Sequence, residues 1–224
     1  MRSANRVVPW ATAGGLLLGA LVAARRYQHV WGATPEEAAA PLPGDPIIGR
    51  ADLVATRAVS IQAPPEDVWP WLVQLGQGRG GFYSYDRLQS LLGLDIDNAA
   101  EIVPEWQHLA PGDEVHLAPD VPLVAAVVDP AHALVLHGSP EGAARHGLPM
   151  PVAFTWAFVL RPGPRGSTRL VVRERYTYLE PWAGALVEAV QVASFVMTER
   201  MLRGIRERAE YRPPAEAVAA ARET

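Results

Sequence analysis

Between residues 53 and 61 apolar and polar positions alternate, with Leu53, Ala55, Val59 and Ile61 on one face and Thr56 and Ser60 on the other. A repeat of about two residues predicts a half-buried β-strand. Pro64-Pro65-Glu66-Asp67 then opens a helix, because proline is pre-set for a first helical turn. Val68, Trp69, Leu72 and Leu75 form its apolar stripe. A glycine-rich turn, Gly76 to Gly81, leads to a second short helix around Ser84 to Leu92, and Leu94 to Pro111 reads as irregular. Further strands are expected at Glu114–Ala118, Leu123–Val128, Ala133–His137, Val152–Arg161 and Thr168–Leu179. Turn signals at Asp129-Pro130 and Gly163-Pro164-Arg165-Gly166 divide them. After Pro181 the apolar repeat lengthens to about 3.6 residues. Trp182, Leu186, Ala189, Ala193, Val196, Met197, Met201 and Ile205 then make one face of a long helix. Arg200, Arg203, Arg206 and Arg208 enrich its last turns, where cations complement the helix dipole. Glu188 and Gln191 interrupt the apolar run, which argues against a membrane span there.

The amino-terminal end follows a different pattern. Val7 to Ala24 carries no charge, and as a helix it would rise about 27 Å, close to the ~30 Å of bilayer hydrocarbon. Arg2 and Arg6 precede it, and Arg25, Arg26 and Tyr27 follow, an arrangement that suits a spanning helix with snorkelling ends. A cleaved signal peptide ending at Val22-Ala23-Ala24 and a buried soluble helix are the competing readings. The basic flanks nearly balance, so orientation stays open, with a lean toward a cytoplasmic domain at the cell membrane. Pro41, Pro43, Gly44 and Pro46 forbid long regular elements before the first strand. The expected organisation is an anchor over 1–28, a linker over 29–50, a domain over 51–212 and a mobile tail over 213–224.

Composition narrows the function classes. With 49% hydrophobic and 20% charged residues the chain is not disordered overall. A formal charge of −4 argues against a nucleic-acid partner, which needs a basic face. The absence of cysteine excludes disulfides, thiolate metal sites and cysteine nucleophiles. All 20 basic residues are arginine, which we read as the codon bias of a GC-rich genome.

One strand, two helices, an antiparallel run of strands and a long final helix is the order of a helix-grip fold. The local motifs point the same way. Trp31-Gly32-Ala33-Thr34, Ile61-Gln62-Ala63-Pro64-Pro65-Glu66-Asp67-Val68-Trp69, the block from Gln74 through Gly81 to Asp86, and Val103-Pro104-Glu105-Trp106 resemble the SRPBCC superfamily, the START-like and polyketide-cyclase-like group. They are most similar to a membrane-tethered bacterial subgroup. The resemblance covers about residues 30 to 210. It implies an α+β helix-grip domain, a bent antiparallel sheet around the C-terminal helix with a hydrophobic cavity between them, here behind an N-terminal transmembrane helix. It supplies no reaction.

Candidate chemistry is sparse. Gly76, Gly78 and Gly81 spell G-x-G-x-x-G with Asp95 or Asp97 downstream, yet they follow a helical pattern, whereas the dinucleotide fingerprint must follow a strand. A permissive helix-to-helix turn fits better, and no cofactor is expected. The histidines lack metal-ligand spacing, so no metal is expected, and no G-x-S-x-G elbow occurs. Arg79, Tyr83, Tyr85 and Asp86 cluster beside the flexible turn. They form either a local ion-pair and aromatic cluster, with the tyrosines packed on Trp69 or Trp106, or the polar rim of a ligand cavity.

The last expected strand holds a sharper anomaly. Leu170, Val172, Glu174, Tyr176 and Tyr178 share one face and Val171, Arg173, Arg175 and Thr177 the other, so the apolar face carries Glu174 inward. Arg57 interrupts the apolar face of the first strand in the same way, and helix-grip folds pair these strands. A buried acid and base relieve one another's desolvation, so the two are expected to meet as a structural ion pair; otherwise Glu174 contacts ligand or transfers a proton. The expected cavity walls are Phe154, Trp156, Phe158, Val172, Tyr176, Trp182, Leu186 and Val190. Three functions follow: binding of a hydrophobic small molecule or lipid; a cyclase or dehydratase using Glu174 and Tyr176; or a non-catalytic assembly module whose cavity is filled by its own side chains.

Overall fold

The computed structural model describes residues 8–85, 97–147 and 150–211. Within them six strands form one antiparallel sheet: β1 (Leu53–Ile61), β2 (Glu114–Ala118), β3 (Val121–Asp129), β4 (Ala133–Gly138), β5 (Val152–Pro162) and β6 (Thr168–Tyr178). Five helices accompany it among the described residues: α1 (Val8–Val30), α2 (Pro35–Ala39), α3 (Pro65–Val73), α4 (Pro140–Arg145) and α5 (Ala183–Glu210). The spatial order is β1-β6-β5-β4-β3-β2, so the first strand returns beside the last. With the long α5 across the sheet, this is an α+β helix-grip architecture. Each strand lies within two residues of its sequence-based bounds. The expected helix at Ser84 to Leu92 lies outside the described residues from position 86, and the tail lies outside them as well.

Register puts Ala55 opposite Glu174, Glu174 opposite Trp156 and Trp156 opposite Leu136, one row across four strands. Alternation then gives the concave face Phe154, Phe158, Leu160, Leu170 and Val172, which join α3 and the end of α5 in the main core. The α3 stripe differs by one position from expectation. Val68, Trp71 and Leu72 are buried and Trp69 only partly, since neighbours three and four apart share a helix face. The short α4 begins at Pro140 after Ser139, whose Oγ accepts from the Gly142 N–H at 3.0 Å.

The first half of the long helix is rotated from its expected phase, whereas Met201 and Ile205 farther along are buried as expected. Buried positions are Ala183, Val187, Gln191, Thr198, Met201, Leu202, Gly204 and Ile205. Trp182 stands 56% and Leu186 46% exposed, so these two expected wall residues lie off the sheet. The reason is polar satisfaction. The concave face carries Arg57 and Glu174, and α5 turns Gln191, Ser194 and Thr198 toward them. Leaving such groups without partners costs more than exposing two apolar side chains.

Residues 31 to 50, expected as a linker, are packed on the domain. The Ala58 N–H, on the open edge of β1, donates to the Trp31 carbonyl at 3.1 Å. Gly32 has φ +70°, and a Cβ there would overlap the Ala58 carbonyl oxygen, so only glycine lets the chain turn this edge. Thr34 and Glu37 form a capping box on α2. The outward row of β6 then clamps the segment. Arg173 donates to the carbonyls of Glu37, Ala38 and Ala40, to Asp45 Oδ2 and to Thr56 Oγ1, all between 2.7 and 3.0 Å. Its charge sits at the C-terminal end of α2, where the free carbonyls are. Leu42 fills the space over Ala58, Val159 and Val171.

Among the described residues no helix is long and apolar enough to cross a membrane. Val7, at the start of the expected span, lies outside them. Leu16, Leu17, Leu18, Leu21 and Val22 of α1 are all more than half exposed. The end of α1 docks instead of projecting freely: Arg25 pairs with Glu188, Tyr27 meets the Phe195 ring edge-on at 6.0 Å, and Arg57 Nε donates to the Gln28 carbonyl at 3.0 Å.

Candidate functional site

Between the concave sheet and α5 lies a cavity of about 470 Å³. Phe154 and Trp156 of β5 and Glu174 and Tyr176 of β6 form its floor. Leu117 and Ala118 of β2 and Phe82 and Ser84 after the glycine turn form its sides. Ala189, Val190, Ala193, Ser194, Met197, Thr198 and Met201 of α5 cover it. Ala189 and Ala193 are small where α5 crosses the aromatic floor, which leaves space that larger side chains would fill. The floor is stiff, with Phe154 and Tyr176 rings 4.7 Å apart and Trp156 and Phe158 rings 4.9 Å apart.

Glu174 is the charged group on this wall. Its Oε1 accepts from Arg57 Nη1 at 2.6 Å and from Thr198 Oγ1 at 3.1 Å. Its Oε2 accepts from the Tyr176 hydroxyl and from Ser194 Oγ, each at 3.3 Å. The Arg57 and Glu174 side chains are 1% and 3% exposed. Arg57 is completed by the Gln28 carbonyl and by Gln191 Oε1 at 3.4 Å, with the Phe195 ring 5.6 Å away. Burial, reinforced by the neighbouring carboxylate, pushes the Tyr176 phenol well above its ordinary pKa, so it remains a donor to Glu174. The Trp156 indole N–H, buried beside the same cavity, has no hydrogen-bond partner among the described residues.

The structure sorts the expected site residues into three groups. Phe154, Trp156, Glu174, Tyr176 and Val190 line the cavity together. Arg57 lies behind Glu174, and Phe158 lies in the core next to Trp156 without reaching the cavity. Leu186 is 46% exposed and does not line the cavity. Arg79, Tyr83, Tyr85 and Trp106 of the cluster around the glycine turn do not line the cavity, and Tyr83 packs edge-on against Trp71, where Trp69 or Trp106 was expected. Arg79 donates to the carbonyls of Val73 and Trp106 at 3.0 and 2.7 Å, and burial lowers its pKa. The buried Tyr83 hydroxyl donates to the Trp71 carbonyl at 3.0 Å while Arg208 stacks over its ring at 4.6 Å. These residues and Trp106 are braces, not a cavity rim. Tyr85 is exposed, and Asp86 lies outside the described residues.

The glycine turn acts at one remove. Gly76 and Gly81 bridge each other, and a Cβ on Gly81 would lie 2.6 Å from Asn98 Oδ1, which accepts from the Phe82 N–H. The turn thereby aims Phe82 and Ser84 at the cavity, and Ser84 Oγ donates to the Met197 carbonyl of α5. Ser194, Thr198 and Gln191 were missed as site residues. The signal was present: polar residues three, four and seven apart inside an apolar helical run share one face. No local signal marks Leu117 or Ala118, because the sheet's curvature brings them to the cavity.

No family model matches the chain, and no curated protein matches it. Solved structures resemble it at low identity. A protein from Nitrosomonas europaea is 14% identical over 76% of this chain and 98% of its own, with a TM-score of 0.47. One from Chromobacterium violaceum is 11% identical over 71% and 98%, with a TM-score of 0.45. Norcoclaurine synthase from Thalictrum flavum is 15% identical over 69% and 84%, with a TM-score of 0.42. Likeness at this level says nothing of chemistry, and the helix-grip assignment rests on the chain's own strand order and final helix.

Proposed function

We propose that the chain is a membrane-tethered protein that binds a hydrophobic small molecule or lipid between sheet and C-terminal helix. The observation that carries this reading is the open, mostly apolar cavity of about 470 Å³ with one ion-paired acid among the described residues of its wall. That volume lies within the roughly 300–1,000 Å³ range of small-molecule pockets. Burial of apolar ligand surface, at about 25 cal/mol per Å² before ordering costs, supplies the affinity. Tethering is supported by the charge-free stretch 7–24 and by the exposed leucines of α1, which have no role in a domain core.

The cyclase or dehydratase reading draws less support, because Glu174 is tied to Arg57 and three hydroxyls and is not poised as a free acid or base. An assembly module with a self-filled cavity does not account for the open volume. Organic extraction of the purified full-length protein followed by mass spectrometry tests the binding reading, with an apolar compound expected near stoichiometric amount. An empty extract, together with no uptake of the neutral probe N-phenylnaphthylamine, overturns it. Fractionation tests the tether: full-length protein recovered without detergent in the soluble fraction would remove it.

A further inference from the structure

Resting on the tether reading above, we propose that the outward face of the first half of α5 lies on the same lipid bilayer that holds the charge-free stretch 7–24. From residue 182 to 198 the chain carries one charge, Glu188, whereas seven of the twelve residues from 199 to 210 are charged. The apolar half is not covered by the domain. Trp182, Leu186, Val190, Val192 and Val196 are between 37% and 59% exposed. An uncovered apolar run of about four turns that stops at a charged boundary marks an interaction surface.

Contacts with the tether set which end of α5 is nearer the membrane. Arg25, directly after the charge-free stretch, pairs with Glu188. Tyr27 meets the Phe195 ring at 6.0 Å, and the Arg203 guanidinium lies 5.8 Å from the Trp31 ring. Successive positions leaving the stretch thus meet successive positions along α5. With 7–24 in the hydrocarbon, Arg25 stands at headgroup level, and Glu188 stands there with it. Trp182 and Leu186 precede Glu188, on the membrane side of that level, and the charged half leads away from lipid. The rise from Glu188 back to Trp182 is about 9 Å, and interfacial helices bury their apolar faces by ~5–10 Å. Tryptophan is enriched at that depth. A second copy of the chain could cover the same face, but it gives no reason for the apolar half to be the one beside the tether. Val190 belongs both to this face and to the cavity wall, so the cavity's cover lies against lipid.

The chain has no cysteine, so a single introduced thiol can be labelled cleanly. Full-length Leu17→Cys, Trp182→Cys, Leu186→Cys and Glu207→Cys proteins, each carrying the polarity-sensitive fluorophore NBD, are reconstituted at one copy per nanodisc. Each is measured with and without phosphatidylcholine that bears a nitroxide on its acyl chain. Labels at 182 and 186 are expected to emit at shorter wavelength than the label at 207 and to lose fluorescence to the nitroxide lipid. The label at 207 is expected to lose none. Unquenched labels at 182 and 186 beside a quenched label at 17 overturn the bilayer contact and leave the tether intact. If those unquenched labels are also blue-shifted, protein covers the face instead of lipid. An unquenched label at 17 overturns the tether reading and this proposal with it. Thermal melts check folding, and either of positions 182 and 186 decides the proposal if the other variant does not fold.

Discussion

Arg57 and Glu174 meet diagonally across the β1–β6 pair: Ala55 is opposite Glu174 and Arg57 opposite Val172, yet Nη1 and Oε1 lie 2.6 Å apart with both side chains buried. Replacing Arg57 with Met leaves a carboxylate buried without its cation and is expected to cost about 3–5 kcal/mol. Adding Glu174→Gln removes the uncompensated charge and should restore part of that loss. Denaturant unfolding of the two single variants and the double variant measures the coupling. Additive losses would show that the pair contributes no mutual stabilisation.

The rotation of α5 gives a second comparison. Val187 is 6% exposed against Ala183, Leu53 and Ala55, whereas its neighbour Leu186 faces outward. Val187→Asp is expected to destabilise the domain by roughly 3 kcal/mol, because it buries an unpaired acid. Leu186→Asp should stay within about 1 kcal/mol. Thermal melts of the pair distinguish this phase from the alternative in which Leu186 packs on the sheet, which predicts the reverse ranking.

Two glycines with nearly equal φ separate backbone strain from steric overlap. Gly78, at φ +73°, has open space where a Cβ would stand, so Gly78→Ala should cost only the left-handed penalty of about 1 kcal/mol. Gly32, at φ +70°, would drive a methyl into the Ala58 carbonyl oxygen, a backbone atom held within the sheet. Gly32→Ala is therefore expected to cost at least about 2 kcal/mol and to expose residues 31–50 to protease. Equal effects at the two positions would mean that the chain can leave the β1 edge without harm.

Docking of the α1 end should depend on pH through His29. Burial, with a smaller effect of Arg25, lowers its imidazole pKa from the ordinary 6.5. The unfolded or undocked chain then binds a proton more readily than the docked one. Docking is full above about pH 6.5 and weakens as pH falls through the lowered value. Protection factors at residues 27–31, which correct amide exchange for its intrinsic base-catalysed rate, are expected to fall from about pH 7.5 to 5, and His29→Gln should flatten the profile. Protection factors that do not change with pH would remove His29 from the docking.

How much of this was legible without the fold depends on the distance over which each feature is decided. The six strands, their bounds and the inward parity of Arg57 and Glu174 could be read from the chain, because a two-residue repeat is local and a charge on an apolar face stands out against its own neighbours. Their pairing followed once β1 and β6 were taken as adjacent. The phase of α5 could not be read in the same way. A helix turns by about 100° per residue, so apolar residues on two flanks fit more than one buried face, and the choice went to the face whose Gln191, Ser194 and Thr198 satisfy a charge pair on other elements. The path of residues 31–50 was likewise hidden, since proline and glycine forbid regular structure without showing that Arg173 will collect the freed carbonyls. Arg79 and Tyr83 had the residue types of a binding rim, and only tertiary packing made them braces, because it placed backbone carbonyls within their reach. Local periodicity thus determined the elements and the polarity of their faces. The cavity and the docking of the α1 end and of residues 31–50 were decided by which elements met, because a hydrogen bond or an empty volume belongs to two surfaces at once.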